Sequence, residues 1–344
     1  MRLGLAWVVV FACAACGERV ADDAPAFESG RGGADAATDS GGHGGSSSGG
    51  VGSASGTGGS GGSVVSGGTG GGPSADAAID DAESPGDAAI IEPPDESCLA
   101  EISDYKSPGP FDYETTSSGS VKIWKPAVPS GCKVPIVHFA NAAHLACANF
   151  EAALAHLASH GFLALCYESS QTGDGTQCIE AVELAREQYP DLVSDKIGFA
   201  GHCEGGVSAI LCAYRAEERW PEHTFAVQAG APEHGFFGAV EGWAELYGEI
   251  ESPVFMFNGS EDTLVSAQLV GQGLDHLSAE TEVTWYEATG APHVPVPNHW
   301  IQESAVVWFR WKLLDDRDAC AYWKAMPEGD AWDMKAETNA APCE

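Results

Sequence analysis

The chain is poor in basic residues. Its 344 residues include 16 Lys and Arg against 50 Asp and Glu, which gives a formal net charge of −34. Residues 98–344 carry 36 of the acids and 13 of the bases. A surface of this sign repels phosphate backbones and anionic lipid headgroups. We therefore expect no nucleic-acid partner, and contact with a membrane only through an N-terminal lipid anchor.

Long apolar runs are also missing, apart from one at the N-terminus. Arg2 precedes an apolar run over residues 3–15, which is too short to cross a bilayer but has the length of a signal-peptide core. The run ends in Cys13-Ala14-Ala15-Cys16-Gly17, which resembles a bacterial lipobox with Cys16 as the lipidated residue. Plain cleavage after the small residues is the alternative. We expect residues 1–16 to be a signal peptide and the protein to be exported, either as a lipoprotein facing the periplasm or cell surface or as a secreted protein.

The segment that follows has too few apolar residues to build a core. Residues 29–74 contain 20 glycines and 11 serines in 46 positions. Such a composition is typical of a flexible chain. We expect residues 17–97 to form a disordered, acidic linker. Residues 98–344 hold nine of the ten tryptophans and are long enough for one well-buried domain.

Beyond the Cys13-Ala14-Ala15-Cys16 segment of the predicted signal peptide, the cysteines show no CxxC spacing, so the sequence does not support a zinc ribbon or a thioredoxin-like motif. Nine cysteines remain beyond Cys16, and an exported chain is expected to pair them as disulfides. Eight can pair, so the count predicts one remaining thiol. Proximity favours Cys166 with Cys178 and Cys320 with Cys343.

Strand and helix patterns alternate over residues 134–314. Short apolar runs are typical of strands buried on both faces, and apolar residues three or four positions apart are typical of helices. The predicted strands are 134–140, 162–167, 196–200, 225–229, 253–258 and 283–287, and the predicted helices are 148–160, 178–188, 207–214 and 301–314. The alternation predicts an α/β fold with a doubly wound, mostly parallel sheet and helices on both faces.

The segment Gly201-His202-Cys203-Glu204-Gly205-Gly206 joins a predicted strand to a predicted helix. Gly-x-Cys-x-Gly at such a junction matches a nucleophile elbow, a sharp turn that leaves no room for side chains two positions either side of the nucleophile. Cys203 would lie at the helix N-terminus, where the helix dipole favours a thiolate. A buried structural thiol is the alternative interpretation of Cys203.

An acid and a base follow the cysteine in the order nucleophile, acid, base. Asp262 lies in the loop after a predicted buried strand, and Glu261 is the neighbouring alternative. His293 lies just beyond the last predicted strand, with His299 as a competitor at the start of the last predicted helix. In this interpretation His293 takes the proton of Cys203, Asp262 fixes the imidazole tautomer, and the thiolate attacks an acyl carbonyl.

These residues carry a resemblance to a known family. The chain from Val134 onward resembles the α/β-hydrolase superfamily, and it is most similar to the exported polyester hydrolases and cutinase-like proteins. The segments that carry the resemblance are Pro135-Ile-Val-His-Phe-Ala-Asn-Ala142, Leu157-Ala-Ser-His-Gly-Phe162, Gly201-His-Cys-Glu-Gly-Gly206, Asn258-Gly-Ser-Glu-Asp-Thr263 and Gly290-Ala-Pro-His293. That branch has serine at the position of Cys203. The dienelactone hydrolases, which use Cys, Asp and His on the same fold, are similar at this position.

The resemblance implies a hydrolase that cleaves carboxylic esters or lactones through an acyl-enzyme, without a cofactor. It also implies an oxyanion hole formed by the backbone amides of Glu204 and Ala143, the latter in the loop Asn141-Ala142-Ala143-His144. The expected partner is a small acyl ester or lactone.

Two further interpretations remain open. His156 and His160 are four positions apart on a predicted helix, which is a metal-ligand spacing, but no Glu follows His156 as in a zincin motif, so no metal site is expected. The second is a catalytically inactive hydrolase scaffold that acts as a surface binding lipoprotein, because a fold alone does not fix a function.

Overall fold

The structure, a computed structural model, describes residues 100–169, 173–234, 242–293, 298–328 and 331–343. The predicted signal peptide with Cys16 and the predicted linker over 17–97 lie outside the described residues. No helix of the described ranges is both long enough and apolar enough to cross a membrane.

A single sheet of nine strands organises the described chain, in the spatial order β1-β2-β4-β3-β5-β6-β7-β8-β9. The strands are β1 (Tyr113–Ser118), β2 (Val121–Pro126), β3 (Val134–Ala140), β4 (Leu163–Tyr167), β5 (Val193–His202), β6 (Thr224–Gly230), β7 (Val254–Gly259), β8 (Val283–Ala288) and β9 (Trp332–Thr338). Strands β3 to β8 pair in parallel, while β1, β2 and β9 run antiparallel to their neighbours. The sheet is therefore mostly parallel, as predicted, and β5 lies at its centre.

Within the described ranges, seven helices cover the two faces of the sheet. They are α1 (Glu151–Ser159), α2 (Thr176–Gln188), α3 (Glu204–Arg219), α4 (Trp243–Tyr247), α5 (Ala267–Leu274), α6 (Asn298–Leu314) and α7 (Arg317–Ala325). Buried side chains of α1, α6 and α7 share one core cluster, and those of α2, α3 and α5 share the other. Both faces of the central strands are thus buried, which explains why their sequences are continuous apolar runs.

The strands that the sequence patterns did not predict, β1, β2 and β9, lie at the margins of the sheet. β1 and β9 are edge strands, and most of their residues are exposed. The continuous apolar run that marks a central strand is absent from them. α7 begins with the carboxylate of Asp316 accepting hydrogen bonds from the N–H groups of Asp318 and Ala319, which is a helix N-cap.

The disulfides correct one prediction and confirm another. Cys320 is bonded to Cys343, as sequence proximity suggested. The predicted bond between Cys166 and Cys178 is wrong, because the side chains of these residues belong to the cores on opposite faces of the sheet. Cys166 is instead bonded to Cys147 on its own face, and Cys178 is bonded to Cys212 on the other. These three disulfides, all between described residues, are typical of an exported protein.

Candidate active site

Cys203 lies at the carboxyl end of the central strand β5, between that strand and helix α3. Its sulfur is a thiol outside the disulfides, and the residue is 4% exposed. Its backbone has φ 60° and ψ −124°, a conformation that non-glycine residues rarely adopt. The turn is held by the Cys203 N–H, which donates to the Gly230 carbonyl at 2.9 Å, and by the Cys203 carbonyl, which accepts from the Gly206 N–H at 2.9 Å. Strain at a turn that the surrounding backbone fixes in this way is typical of functional sites.

Two glycines make this turn sterically possible. A Cβ on Gly201 would lie 1.9 Å from the Gly205 carbonyl oxygen. A Cβ on Gly205 would lie 2.1 Å from the carbonyl oxygen of Ala140, at the end of β3. Neither approach is compatible with a side chain. The Gly-x-Cys-x-Gly pattern therefore has the steric basis that an elbow requires.

His293 and Asp262 meet at the same edge of the sheet. The Nδ1 of His293 donates to the Oδ2 of Asp262 at 2.7 Å, with the side chains 7% and 0% exposed. The other carboxylate oxygen of Asp262 accepts from the N–H groups of Leu264 and Val265 at 2.9 and 2.7 Å. With Nδ1 protonated towards Asp262, the lone pair of His293 is on Nε2. That atom is buried and forms no hydrogen bond with any described residue.

Backbone hydrogen bonds tie the loop of the acid to the loop of the base. Asp262 lies three residues after β7, and His293 lies five residues after β8. The N–H of Glu261 donates to the carbonyl of Ala291 at 3.0 Å, and the N–H of Gly290 donates to the hydroxyl of Ser260 at 2.7 Å. These bonds fix the two loops to each other, so the carboxylate and the imidazole are held in register.

The alternatives to these two residues are placed differently. Glu261 is exposed, while its neighbour Asp262 is buried against the imidazole. His299 belongs to the first turn of α6, and its side chain lies outside the described residues. His202, inside the elbow, is 2% exposed, and its ring lies 4.9 Å from the ring of His293. Burial, and secondarily repulsion from His293 whenever that ring is protonated, lowers the pKa of His202 well below its usual value, so this ring is neutral.

The loop after β3, in which Ala143 was expected to donate to an oxyanion, is tightly closed. Leu145 donates its N–H to the Ala142 carbonyl at 3.0 Å, and His144 has a φ of 61°. Asn141 is 1% exposed, and its side-chain amide donates to the carbonyls of Leu145 and Ser169. The start of this loop lies against α3, because a Cβ on Gly205 would also lie 2.6 Å from the Asn141 carbonyl oxygen. The loop is therefore packed beside the first turn of α3, where the amide of Glu204 lies.

The sequence patterns did not indicate Glu233. This residue follows β6, is 4% exposed, and donates its N–H to the Cys203 carbonyl at 3.2 Å. Its charge acts on Glu204, the first residue of α3, whose Oε2 is buried and forms no hydrogen bond with the described residues. Burial and then Glu233 raise the pKa of Glu204 to about 7, opposed by a backbone hydrogen bond at Gly173. The one sequence feature that could have indicated Glu233 is its position just after a predicted buried strand.

The described residues contain one cluster with the composition of a metal site. Potential ligand atoms of His138, Cys178 and Cys212 lie within 4.8 Å of one another. The two sulfurs form a disulfide, however, so they are not thiolate ligands. His156 and His160 direct ring nitrogens to backbone carbonyls, those of Tyr105 and His156 respectively. Their spacing therefore reflects helix packing.

Comparison with known proteins adds no relative to these observations. No protein-family model matches the chain, and no curated protein matches its sequence. The fold class therefore rests on the structure: a mixed α/β fold with a single, mostly parallel sheet, in which Cys203, Asp262 and His293 follow the carboxyl ends of β5, β7 and β8.

Proposed function

We propose that this protein is an exported α/β-hydrolase that cleaves carboxylic esters or lactones with Cys203, His293 and Asp262. The observation that carries the proposal is the buried His293–Asp262 hydrogen bond at the same sheet edge as a strained cysteine on a strand-to-helix turn. The order nucleophile, acid, base along the chain and the glycines of the turn also support the α/β-hydrolase assignment.

The proposed reaction has two halves. In the first, Nε2 of His293 takes the Cys203 proton, and the thiolate forms a bond to the carbonyl carbon. The alkoxide leaves with the proton from His293, and the acyl group stays on sulfur as a thioester. In the second half, His293 takes a proton from water, the resulting hydroxide attacks the thioester, and the thiol is restored as the acid departs.

The backbone amides of Glu204 and Ala143 are proposed to hold the oxyanion that forms in each half. Donors of this kind act because they are already oriented when the charge develops. Packing of the loop after β3 against Gly205 supports the assignment, since it brings the two segments side by side. The proposed site needs no cofactor.

The test is hydrolysis of p-nitrophenyl acetate and butyrate by the purified chain. We expect Cys203→Ala and His293→Ala to lower kcat by at least about 10²-fold, because each removes a group that changes its bonding in the reaction. His299→Ala, the matched histidine control, should retain most of the activity. Equal and small losses in all three variants would favour the non-catalytic binding scaffold instead.

Alkylation provides a second readout of the same proposal. Iodoacetamide applied to the native, unreduced chain should modify Cys203, and activity should fall in proportion to the labelled fraction. Peptide mapping identifies the modified residue. Full labelling of Cys203 with unchanged hydrolysis would contradict its role as nucleophile.

A further inference from the structure

One buried histidine in the centre of the sheet has no polar partner. His138 belongs to β3 and is 3% exposed. Neither of its ring nitrogens forms a hydrogen bond with any described residue. A neutral imidazole has one donor and one acceptor, and nearly all such groups are paired when they are buried. The two free nitrogens of His138 therefore require a physical explanation.

The ring of His138 faces a disulfide that joins two helices. Its neighbours Val137 and Phe139 belong to the core on the other face of the sheet, so alternation along β3 directs His138 towards α2 and α3. On that face Cys178 of α2 is bonded to Cys212 of α3. A ring nitrogen of His138 and the two sulfurs all lie within 4.8 Å of one another.

An imidazole and two cysteine sulfurs form a ligand set that Zn²⁺ prefers. Two thiolates and a neutral imidazole around Zn²⁺ carry no net charge, which suits a site whose three residues are at most 3% exposed. Cu⁺ on the same ligands would leave a net negative charge, and burial of an uncompensated charge is costly. The carbonyl oxygen of Gly175 lies 2.8 Å from the Cys178 sulfur and is a further donor atom beside the site.

We propose that His138, Cys178 and Cys212 bind Zn²⁺ when the Cys178–Cys212 disulfide is reduced. A dithiol reductant transfers two electrons to the S–S bond, so that two protein thiols form and the dithiol becomes a disulfide. Zn²⁺ then displaces the two thiol protons, and the imidazole lone pair supplies the third ligand. The oxidised pair has no thiolate and does not hold the ion. The redox state of this pair thus switches the site, independently of the proposed hydrolase function.

The experiment titrates the purified chain with Zn²⁺ alone. The chain carries Cys203→Ser, so that the thiol outside the described disulfides contributes no ligand. One sample is reduced with a phosphine, which is then removed, and a second sample is left oxidised. A chromogenic chelator measures the zinc that stays with the chain on gel filtration in excess Mg²⁺. We expect about one zinc per reduced chain and none per oxidised chain, and equal zinc in both samples would overturn the inference.

Paired substitutions identify the ligands, because the phosphine opens the other disulfides as well. Cys178→Ser together with Cys212→Ser should abolish zinc binding by the reduced chain. Cys147→Ser together with Cys166→Ser removes the disulfide on the other face of the sheet and is the matched control, which should retain the zinc. Retention of zinc by the first double variant would assign the ion to other sulfurs and contradict the proposal.

The histidine is tested in the same way. His138→Gln should weaken zinc binding by at least about tenfold, since it removes one of three ligands. His144→Asn, at an exposed histidine, is its control and should change the affinity less than twofold. The same affinity in both variants would exclude His138 as a ligand.

Two measurements need no substitution among the ligands and decide the matter if a variant fails to fold. Zn²⁺ should slow iodoacetamide labelling of Cys178 and Cys212 in the reduced chain at least fivefold, with a smaller effect on Cys147 and Cys166. Unchanged labelling of Cys178 and Cys212 would rule out the site. If reduction unfolds the chain, Zn²⁺ should restore its circular dichroism spectrum, because an ion that binds only the folded chain stabilises it. A reduced chain that stays unfolded with Zn²⁺ counts equally against the proposal.

Discussion

Asp262 divides its two carboxylate oxygens between a backbone turn and an imidazole. Oδ1 accepts two N–H groups of its own loop, and Oδ2 accepts the Nδ1–H of His293. Oδ1 thus fixes the position of the carboxylate, and Oδ2 fixes the tautomer of the histidine. A neutral amide can perform only the first of these tasks.

Asp262→Asn is therefore expected to leave the loop intact and to disable the base. An amide NH₂ facing Nδ1 favours the tautomer with the proton on Nε2, which has no lone pair for the cysteine proton. We expect kcat for p-nitrophenyl acetate to fall by about 10² to 10⁴-fold with little change in the urea midpoint. Glu261→Gln, one residue away and exposed, should change kcat less than twofold. An unaffected kcat in Asp262→Asn would remove this residue from the mechanism.

The residues of the site differ in whether the sequence alone could identify them. Cys203, Asp262 and His293 could be singled out because each follows a strand that reads as an apolar run, so their types and their places along the chain were both visible. Glu233 also follows such a strand, but no motif surrounds it. Its relation to Cys203 is a backbone hydrogen bond between the segments that follow β5 and β6, which only the folded chain reveals.

Among the elements, the central strands were predictable and the margins were not. β3, β4 and β7 consist almost entirely of buried residues, so their composition alone identifies them. β9 has its first residue buried and most of the others exposed, and β1 has no buried residue. The predicted disulfide between Cys166 and Cys178 was wrong for a related reason. Whether two cysteines lie on the same face of the sheet depends on the fold. Their separation along the sequence does not predict it.

The junction of β5 and α3 depends on the absence of two side chains. Gly205→Ala would place a methyl group 2.1 Å from the Ala140 carbonyl oxygen, so β3 or the elbow must move. Overpacking of this kind costs about 1 to 3 kcal/mol. We expect a lower urea midpoint and a larger relative loss of esterase activity, since the shift displaces Cys203 itself.

Gly271 in α5 provides the matched glycine control for this prediction. A Cβ there would meet only the Trp285 ring, at 4.0 Å. Gly271→Ala should be neutral or should stabilise the chain by up to about 1 kcal/mol, because Ala restricts the unfolded chain and suits a helix. If both variants behave alike in urea unfolding and in hydrolysis, the elbow is not sterically constrained as described.

For the whole molecule, buried histidines set the response to acid. His138 is 3% exposed, and burial lowers its pKa to about 3. His160 is 1% exposed, and burial and then His156 lower its pKa to about 4. The pKa of His202 is lowered well below its usual value, as described above, and burial lowers the pKa of His234 to about 4. These four rings stay neutral in the folded chain at pH 5, whereas the same residues in the unfolded chain take up protons below about pH 6.5.

On these rings the unfolded state therefore binds about four more protons than the folded state near pH 5, so stability falls as pH falls. Glu204, whose pKa is raised, acts in the opposite direction, but it is a single and partly exposed group. We expect the free energy of unfolding to be about 5 kcal/mol lower at pH 5 than at pH 7. His138→Met should reduce this pH dependence by about a third, while His144→Asn, at an exposed histidine, should leave it unchanged. Urea titrations at the two pH values measure the difference. Equal unfolding free energies at pH 5 and pH 7 would mean that these rings are hydrated or charged in the folded chain.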